Sequence, residues 1–290
     1  MNKKVLLIDG MALLFRSFYA TSVYNRFMYT SNGIPTNAVQ GFVKHMISSM
    51  EAFQPTHIVC CWDMGSKTFR TEMFDEYKAN RPAPPQELIP QFDLVKEVVE
   101  AFNIPNIGLV GYEADDCLGT LAEQYSTDAE VIILTGDQDV LQLITPNVKV
   151  ALLLKGYGNY EVLDENGFYV KKGLTPRQLI DLKAIMGDSS DNYPGVKGIG
   201  EKTASKLLME YHTVDGILEN IEALTKAQRK KFEESLDLLH LSRELATIKC
   251  DVPISCELQE ATITIDRTKV MTKFDELEFK SLHAFVSKVC

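Results

Sequence analysis

Three short apolar runs in this chain are each followed closely by an aspartate, and that recurrence constrains the fold more than any other feature. Lys3 to Asp9 reads KKVLLID, Thr56 to Asp63 reads THIVCCWD, and Val131 to Leu134 (VIIL) runs straight into Thr135-Gly136-Asp137-Gln138-Asp139. Short aliphatic runs without polar alternation suit strands buried on both faces. Between them lie helix-prone stretches: one after Gly10 that contains Arg16, Ala38 to Phe53 (ended by Pro55), Asp93 to Phe102, and a helix opening near Glu113 behind a short strand at Asn106 to Val110. Val148 to Leu154 continues the strand series. This alternation predicts an α/β fold with a mostly parallel twisted sheet flanked by helices. Gly156 to Gly173 reads as turns and a hairpin, and nearly everything from Pro176 onward reads as helix. The expected division is an α/β core over residues 1–172 and a helical subdomain over 173–290.

Composition narrows the setting. The chain has 290 residues, 45% hydrophobic and 24% charged, as in ordinary soluble proteins. No apolar run reaches membrane-span length, and Asp9 interrupts the first run too early for a signal peptide, so a cytoplasmic protein is expected. The six cysteines form no C-x-x-C pairs, which argues against zinc and against structural disulfides. A net charge of −10 argues against a polyanion partner, unless carboxylates are gathered in one place to hold cations.

The acids point to such gathering. Ligands of open parallel sheets bind outside the carboxyl ends of the strands, where Asp9, Asp63 and Asp137 all fall. Glu113, Asp115 and Asp116 open a helix, Asp139 follows Asp137 by two, and Asp188 and Asp191 lie three apart. Any one of these could be a helix N-cap or a first-turn acid favoured by the helix dipole. Caps, however, have no reason to converge. Carboxylates crowded into one crevice repel one another unless cations neutralise them. Oxygen donors without His or Cys select hard ions, Mg²⁺ or Mn²⁺.

The segments carrying these acids resemble the 5′-nuclease family: DGMALLFRSFYA from Asp9, WDMGSKTFRTEMFDEYKANR from Trp62, GYEADDCLGTLA from Gly111, LTGDQDVLQL from Leu134, GDSSDNYPGVKGIGEKTASKLL from Gly187 and LEFKSLHAF near the end. That family includes the 5′→3′ exonuclease domain of bacterial DNA polymerase I, its stand-alone bacterial and phage relatives and, more distantly, the flap endonucleases. The match runs through the whole chain in order. It implies a PIN-like nuclease core with an arch over about 65–92, a helix-hairpin-helix over about 176–211, and a free-standing, monomeric enzyme. It also implies two Mg²⁺ (or Mn²⁺) ions held by Asp9, Asp63, Glu113, Asp115, Asp116, Asp137, Asp139, Asp188 and Asp191. By the same resemblance Asp115 and Asp116 go with the first ion, and Asp188 and Asp191 with the second. Met11 and Gln138 are not acidic positions, and no ligand of the family is missing.

Between Lys67 and Arg81 the cations Lys67, Arg70, Lys78 and Arg81 interleave with Phe69, Phe74 and Tyr77. A charge run is usually a solvated loop, yet this composition also suits single-stranded DNA, with bases on rings and phosphates on cations. The resemblance assigns Lys78, Arg81 and Arg16 to the scissile phosphate, and Arg70 and Tyr77 to the DNA. Gly195 to Gly200 has the glycine spacing of a P-loop, but Glu201 stands where the lysine is required and no strand precedes it, so nucleotide binding is rejected. The turn could be a plain interhelical connection. Read as a helix-hairpin-helix, it uses Gly195, Gly198 and Gly200 to bring backbone N–H groups near a phosphate. Lys197, Lys202 and Lys206 add charge, and a monovalent cation such as K⁺ is a further expectation there.

The activity this implies is cutting of 5′ flaps and removal of 5′ nucleotides from nicked, double-stranded or RNA-primed DNA, in replication and repair. Two other classes stay in view. A haloacid-dehalogenase-type phosphatase also places Asp after its first strand, but needs a second Asp where Met11 stands; a DNA-binding scaffold without catalysis would have lost acids. Cleavage of a 5′-labelled flap, set against hydrolysis of p-nitrophenyl phosphate, separates the three.

Overall fold

In the computed structural model, which describes residues 3–25 and 27–286, the strand runs build one six-stranded sheet in the order β3-β2-β1-β4-β5-β6. The strands are β1 (Lys4–Asp9), β2 (His57–Cys61), β3 (Asn106–Ile107), β4 (Glu130–Thr135), β5 (Val148–Leu153) and β6 (Tyr160–Leu163). All neighbours are parallel except β5 and β6. The mostly parallel sheet flanked by helices is therefore as expected.

Because side chains alternate along a strand, each run feeds two cores. Val5, Leu7, Val59, Cys61, Val131 and Ile133 pack on one face with helix α5 (Ala114–Tyr125). Leu6, Ile8, Ile58, Cys60, Ile132 and Leu134 pack on the other with α1 (Gly10–Thr21), α2 (Asn37–Phe53) and α4 (Gln91–Ala101). Adjacent Cys60 and Cys61 thus serve opposite faces. The tight entry into α1 requires glycine: a Cβ on Gly10 would lie 2.5 Å from the ring of Trp62.

Several expectations are corrected. The strand at Asn106 to Val110 is only two residues long, and the hairpin at 156–173 gives way after β6 to helix α6 (Glu165–Lys172), capped by Asp164 accepting from the Gly167 N–H. The segment at 65–92 carries a short helix α3 (Phe69–Met73), whose Arg70 donates to the Leu245 carbonyl. Beyond it come α7 (Gln178–Met186), α8 (Glu201–Tyr211), α9 (Val214–Glu219), α10 (Lys226–Glu234) and α11 (Leu236–Ala246). The chain then returns to the sheet, where Ile58 N–H donates to Ala261 and Ile263 N–H to Thr56. Helices α12 (Arg267–Glu276) and α13 (His283–Val286), with the 3₁₀ turn Lys280–Leu282 between them, bury Val270, Phe274, Leu282 and Val286 in the core of α2 and α4. By packing, these last helices belong with the α/β core and not with the preceding helical region. Their apolar residues could not choose a partner from periodicity alone.

Candidate active site

The strand order decides where the acids meet. β2, β1 and β4 are parallel neighbours with Asp9 opposite Cys61 and Ile8 opposite Leu134, so Asp9, Asp63 and Asp137 emerge at one edge. Asp9 caps α1, its Oδ1 accepting from Ala12 N–H at 2.9 Å, while its Oδ2 accepts from the Thr135 hydroxyl at 2.6 Å. Asp63 Oδ1 accepts from Ala114 N–H at 2.6 Å, which ties the end of β2 to the start of α5. That helix end presents Glu113 and Asp115. The five acids Asp9, Asp63, Glu113, Asp115 and Asp137, with Lys78 and Arg81, line a cavity of about 260 Å³.

Crowding shows in the electrostatics. Burial pushes Asp9 up to about 7, the charges of Asp63 and Asp137 add to this, and the hydrogen bonds from Ala12 and Thr135 resist it. Burial likewise raises Asp63 and, with Asp137 and Asp9 beside it, lifts Asp115 well above the usual carboxylate range. Among the described residues Asp9, Asp63, Asp115 and Asp137 make no salt bridge, whereas Glu113 is held by Lys78 Nζ at 2.8 Å.

A second cavity of about 400 Å³ adjoins the first and shares Asp137 and Arg81 with it. Besides Glu201, which pairs with Lys172 at 3.2 Å, its other acids are Asp139, opening a 3₁₀ turn after β4, and Asp188 and Asp191 from the loop after α7. Here every one of those three acids is paired. Lys183 Nζ lies 2.6 Å from Asp139 Oδ1 and also ion-pairs with Asp188; Arg81 lies 2.6 Å from Asp191. Lys78 reaches Asp191 as well, at 3.8 Å, and its N–H donates to the Asp191 carbonyl from a backbone at φ +55. Burial works to raise Asp188, but Lys183 and the N–H groups of Ser190 and Asp191 hold it below the ordinary value. Burial pushes Asp139 up to about 6, with Asp137 adding and Lys183 opposing. Lys183 was not a sequence candidate: it sits inside α7, five residues before Asp188, and nothing in the helix period marks it.

Four expected site residues are placed elsewhere. Asp116 is fully buried, and both its oxygens accept from Arg70 at 2.8 Å and from the N–H groups of Glu113 and Lys249, leaving no free lone-pair direction for an ion. Arg70, 2% exposed, spends its remaining donors on the carbonyls of Leu245 and Thr247 and cannot reach DNA. Tyr77, also buried, is no stacking platform; its hydroxyl donates to Glu113 at 3.2 Å and Asp191 at 3.1 Å and so spans the two cavities. Arg16 lines neither cavity and donates to the Leu154 carbonyl at the end of β5.

In the turn between α7 and α8, Gly195 is a packing residue. Its φ is +60, a Cβ would lie 2.3 Å from the Gly187 nitrogen, and its N–H donates to the Ser242 hydroxyl. Gly198 and Gly200 are exposed, as are Lys197, Lys202 and Lys206, which make no ion pair among the described residues. The Gly198 carbonyl accepts from Lys231 Nζ at 2.7 Å.

The donor set fits hard divalent cations: oxygen only, with Asp9, Asp63 and Asp115 raised first by burial and then by neighbouring carboxylates whose repulsion a cation would relieve. Among the described residues no three such side chains are already gathered into a finished cage; the acids line cavities with cations or N–H groups on their oxygens. No helix among the described residues is long and apolar enough to cross a membrane.

A parallel sheet with acids at its carboxyl edge, followed by paired helices around a glycine turn, is the architecture of a nuclease family. This chain belongs to the 5′-3′ exonucleases: residues 4–173 match their N-terminal resolvase-like domain and 174–269 their C-terminal SAM fold. It is 54% identical over 288 residues to the 5′-3′ exonuclease of Bacillus subtilis (strain 168), covering 99% of this chain and 97% of that protein. It is 42% identical over 280 residues to DNA polymerase I of Chloroflexus aurantiacus, covering 95% of this chain but 29% of the polymerase. Among solved structures, T5 5′-exonuclease with bound zinc superposes with a TM-score of 0.70 at 22% identity, over 96% of this chain and 99% of that one. The catalytic core of Rad2 in complex with a DNA substrate does so at 0.64 and 16%, over 99% and 93%. At these identities the structural likeness speaks to the fold.

Proposed function

We propose that this chain is a structure-specific 5′ nuclease that hydrolyses DNA phosphodiester bonds, acting as a 5′→3′ exonuclease on duplex ends and nicks and as an endonuclease on 5′ flaps. The observation that carries this reading is the convergence of acids from three parallel strand ends, one helix start and the loop after α7 on two adjoining cavities rimmed by Lys78 and Arg81. A scaffold without catalysis has no use for so many converging acids, and a haloacid-dehalogenase-type phosphatase needs a second aspartate where Met11 stands.

Asp9, Asp63, Glu113, Asp115 and Asp137 would hold one Mg²⁺ or Mn²⁺ ion, and Asp137, Asp139, Asp188 and Asp191 a second. Such ions, when bound, activate water and stabilise the leaving oxygen of an in-line displacement. The chain's own residues do the rest. Thr135 and Ala114 fix the rotamers of Asp9 and Asp63. Tyr77 holds Glu113 and Asp191 in mutual register. Lys78 and Arg81 sit on the carboxylates that would hold cations, so neutralising those acids frees both side chains for the scissile phosphate, where charge builds in the transition state. Exposed Lys197, Lys202 and Lys206 around the α7–α8 turn would take duplex phosphates without reading bases.

Product mapping on 5′-labelled flap, nicked, blunt and RNA-primed substrates in Mg²⁺ tests the proposal. Release of labelled 5′ fragments that stops in EDTA supports it. Intact substrates, or cleavage unaffected by EDTA, would overturn it.

A further inference from the structure

The two cavities differ in a way that sharing Asp137 and Arg81 does not explain. In the first, Asp9, Asp63 and Asp115 carry no ion pair among the described residues; Asp9 and Asp63 accept from N–H and hydroxyl donors, and Glu113 alone of that cavity's acids is ion-paired there, to Lys78 and Arg70. In the second, Lys183 is clamped between Asp139 and Asp188, and Asp191 is taken by Arg81. Asp139 comes from the turn after β4 and Asp188 from the loop after α7, so one ammonium group joins a carboxylate of the sheet to a carboxylate of the helical region. Lys183 is only 20% exposed, and α7 is packed against α8 and α11, so the side chain has a fixed base from which to reach both acids.

We propose that Lys183 is the internal counter-ion of the second cavity: it lowers that cavity's affinity for a divalent cation, so the first cavity fills first and the second fills only as the ammonium leaves Asp139 and Asp188. The proposal rests on the two-cation reading above. Its physical basis is competition for the same lone pairs. A carboxylate whose oxygen already faces an ammonium group at 2.6 Å gains less from an incoming cation than one facing only neutral donors. Close charge pairs couple strongly enough for removal of the lysine charge to change ion affinity about tenfold or more. A simple strut between two parts of the fold would behave otherwise. Its loss would lower stability with or without metal and leave ion binding unchanged.

The test is Mn²⁺ titration of the whole chain, followed by calorimetry and by the paramagnetic resonance signal of free Mn²⁺, in wild type, Lys183→Met, Lys183→Gln and Lys183→Arg. Melting temperatures are taken in EDTA and in saturating Mn²⁺. The expected result is one tighter and one weaker ion in wild type. The weaker site should tighten about tenfold or more in Lys183→Met and Lys183→Gln, the first should stay within about twofold, and Lys183→Arg should resemble wild type. The charge-removing variants should melt lower in EDTA and recover in Mn²⁺. Equal second-ion affinity in wild type and the charge-removing variants overturns the proposal, as does an equal change at both sites. Failure of wild type and variants alike to bind Mn²⁺ overturns the two-cation reading itself. Should Lys183→Met not fold, Lys183→Gln decides the matter on the same criteria.

Discussion

Arg70 meets Asp116 end-on, with Nη1 and Nη2 each 2.8 Å from a different carboxylate oxygen, and both side chains are shut away from solvent. The pair binds the start of α5, which presents Glu113 and Asp115 to the first cavity, to the chain leaving α11 through the Leu245 and Thr247 carbonyls. An acid that reads as an ion ligand in sequence is thus the anchor of the ligands beside it.

Asp116→Asn removes one charge of that pair and leaves a buried guanidinium without its partner. The expected cost is about 3–5 kcal/mol of unfolding free energy, as for other broken buried pairs. Urea denaturation in EDTA measures it. A variant as stable as wild type that binds fewer Mn²⁺ ions would return Asp116 to the ligand set.

Lys78→Ala should slow single-turnover cleavage of a 5′ flap by about a hundredfold or more, because a contact made to developing charge is felt mainly in the transition state. Affinity for the uncleaved flap, measured in Ca²⁺, should fall far less. A rate within a few-fold of wild type at saturating enzyme would leave Lys78 as a counter-charge for Glu113 and Asp191 only.

Without metal, stability should decline as pH rises. Asp9 has an unfolded-state value near 3.8 and is pushed up to about 7 in the fold, so its folded form holds a proton that the unfolded chain has already lost. Its contribution is complete below the unfolded value and is lost as pH climbs through about 7, with Asp139, at about 6, acting in the same direction. Melting in EDTA should therefore be higher at pH 5 than at pH 7.5. The difference should shrink in Asp9→Asn, and in wild type with Mn²⁺ at pH 7.5. A pH dependence unchanged by Asp9→Asn would exclude Asp9 as its source.

Lys197→Ala and Lys202→Ala should weaken duplex binding to a similar extent on unrelated sequences. Each should also reduce the salt dependence by about one unit of slope, as expected for a lost phosphate contact. Fluorescence anisotropy at several salt concentrations reads both effects. A loss confined to one sequence would mean that the hairpin reads bases.

Local pattern determined a great deal. Apolar runs ending in aspartate specify parallel strands and the edge at which their acids emerge, because strand direction and pleat are properties of the backbone. That is why Asp9, Asp63 and Asp137 are legible in the sequence as residues of one sheet edge. Partnership is a different matter. Arg70 and Asp116 are 46 residues apart, Lys78 and Glu113 are 35 apart, and Gln91, not Thr36, accepts from the first N–H groups of α2 at Ala38 and Val39. No periodicity encodes such pairs; they follow from how buried groups find compensation once the chain has closed on itself. The same holds for α12 and α13, whose apolar stripes fit any complementary face until the sheet's second face is there to receive them. Sequence alone therefore determined which residues carry charge to the edge of the sheet. Tertiary structure decided which of those charges are spent on holding the protein together, because only it brings distant donors and acceptors within hydrogen-bonding reach.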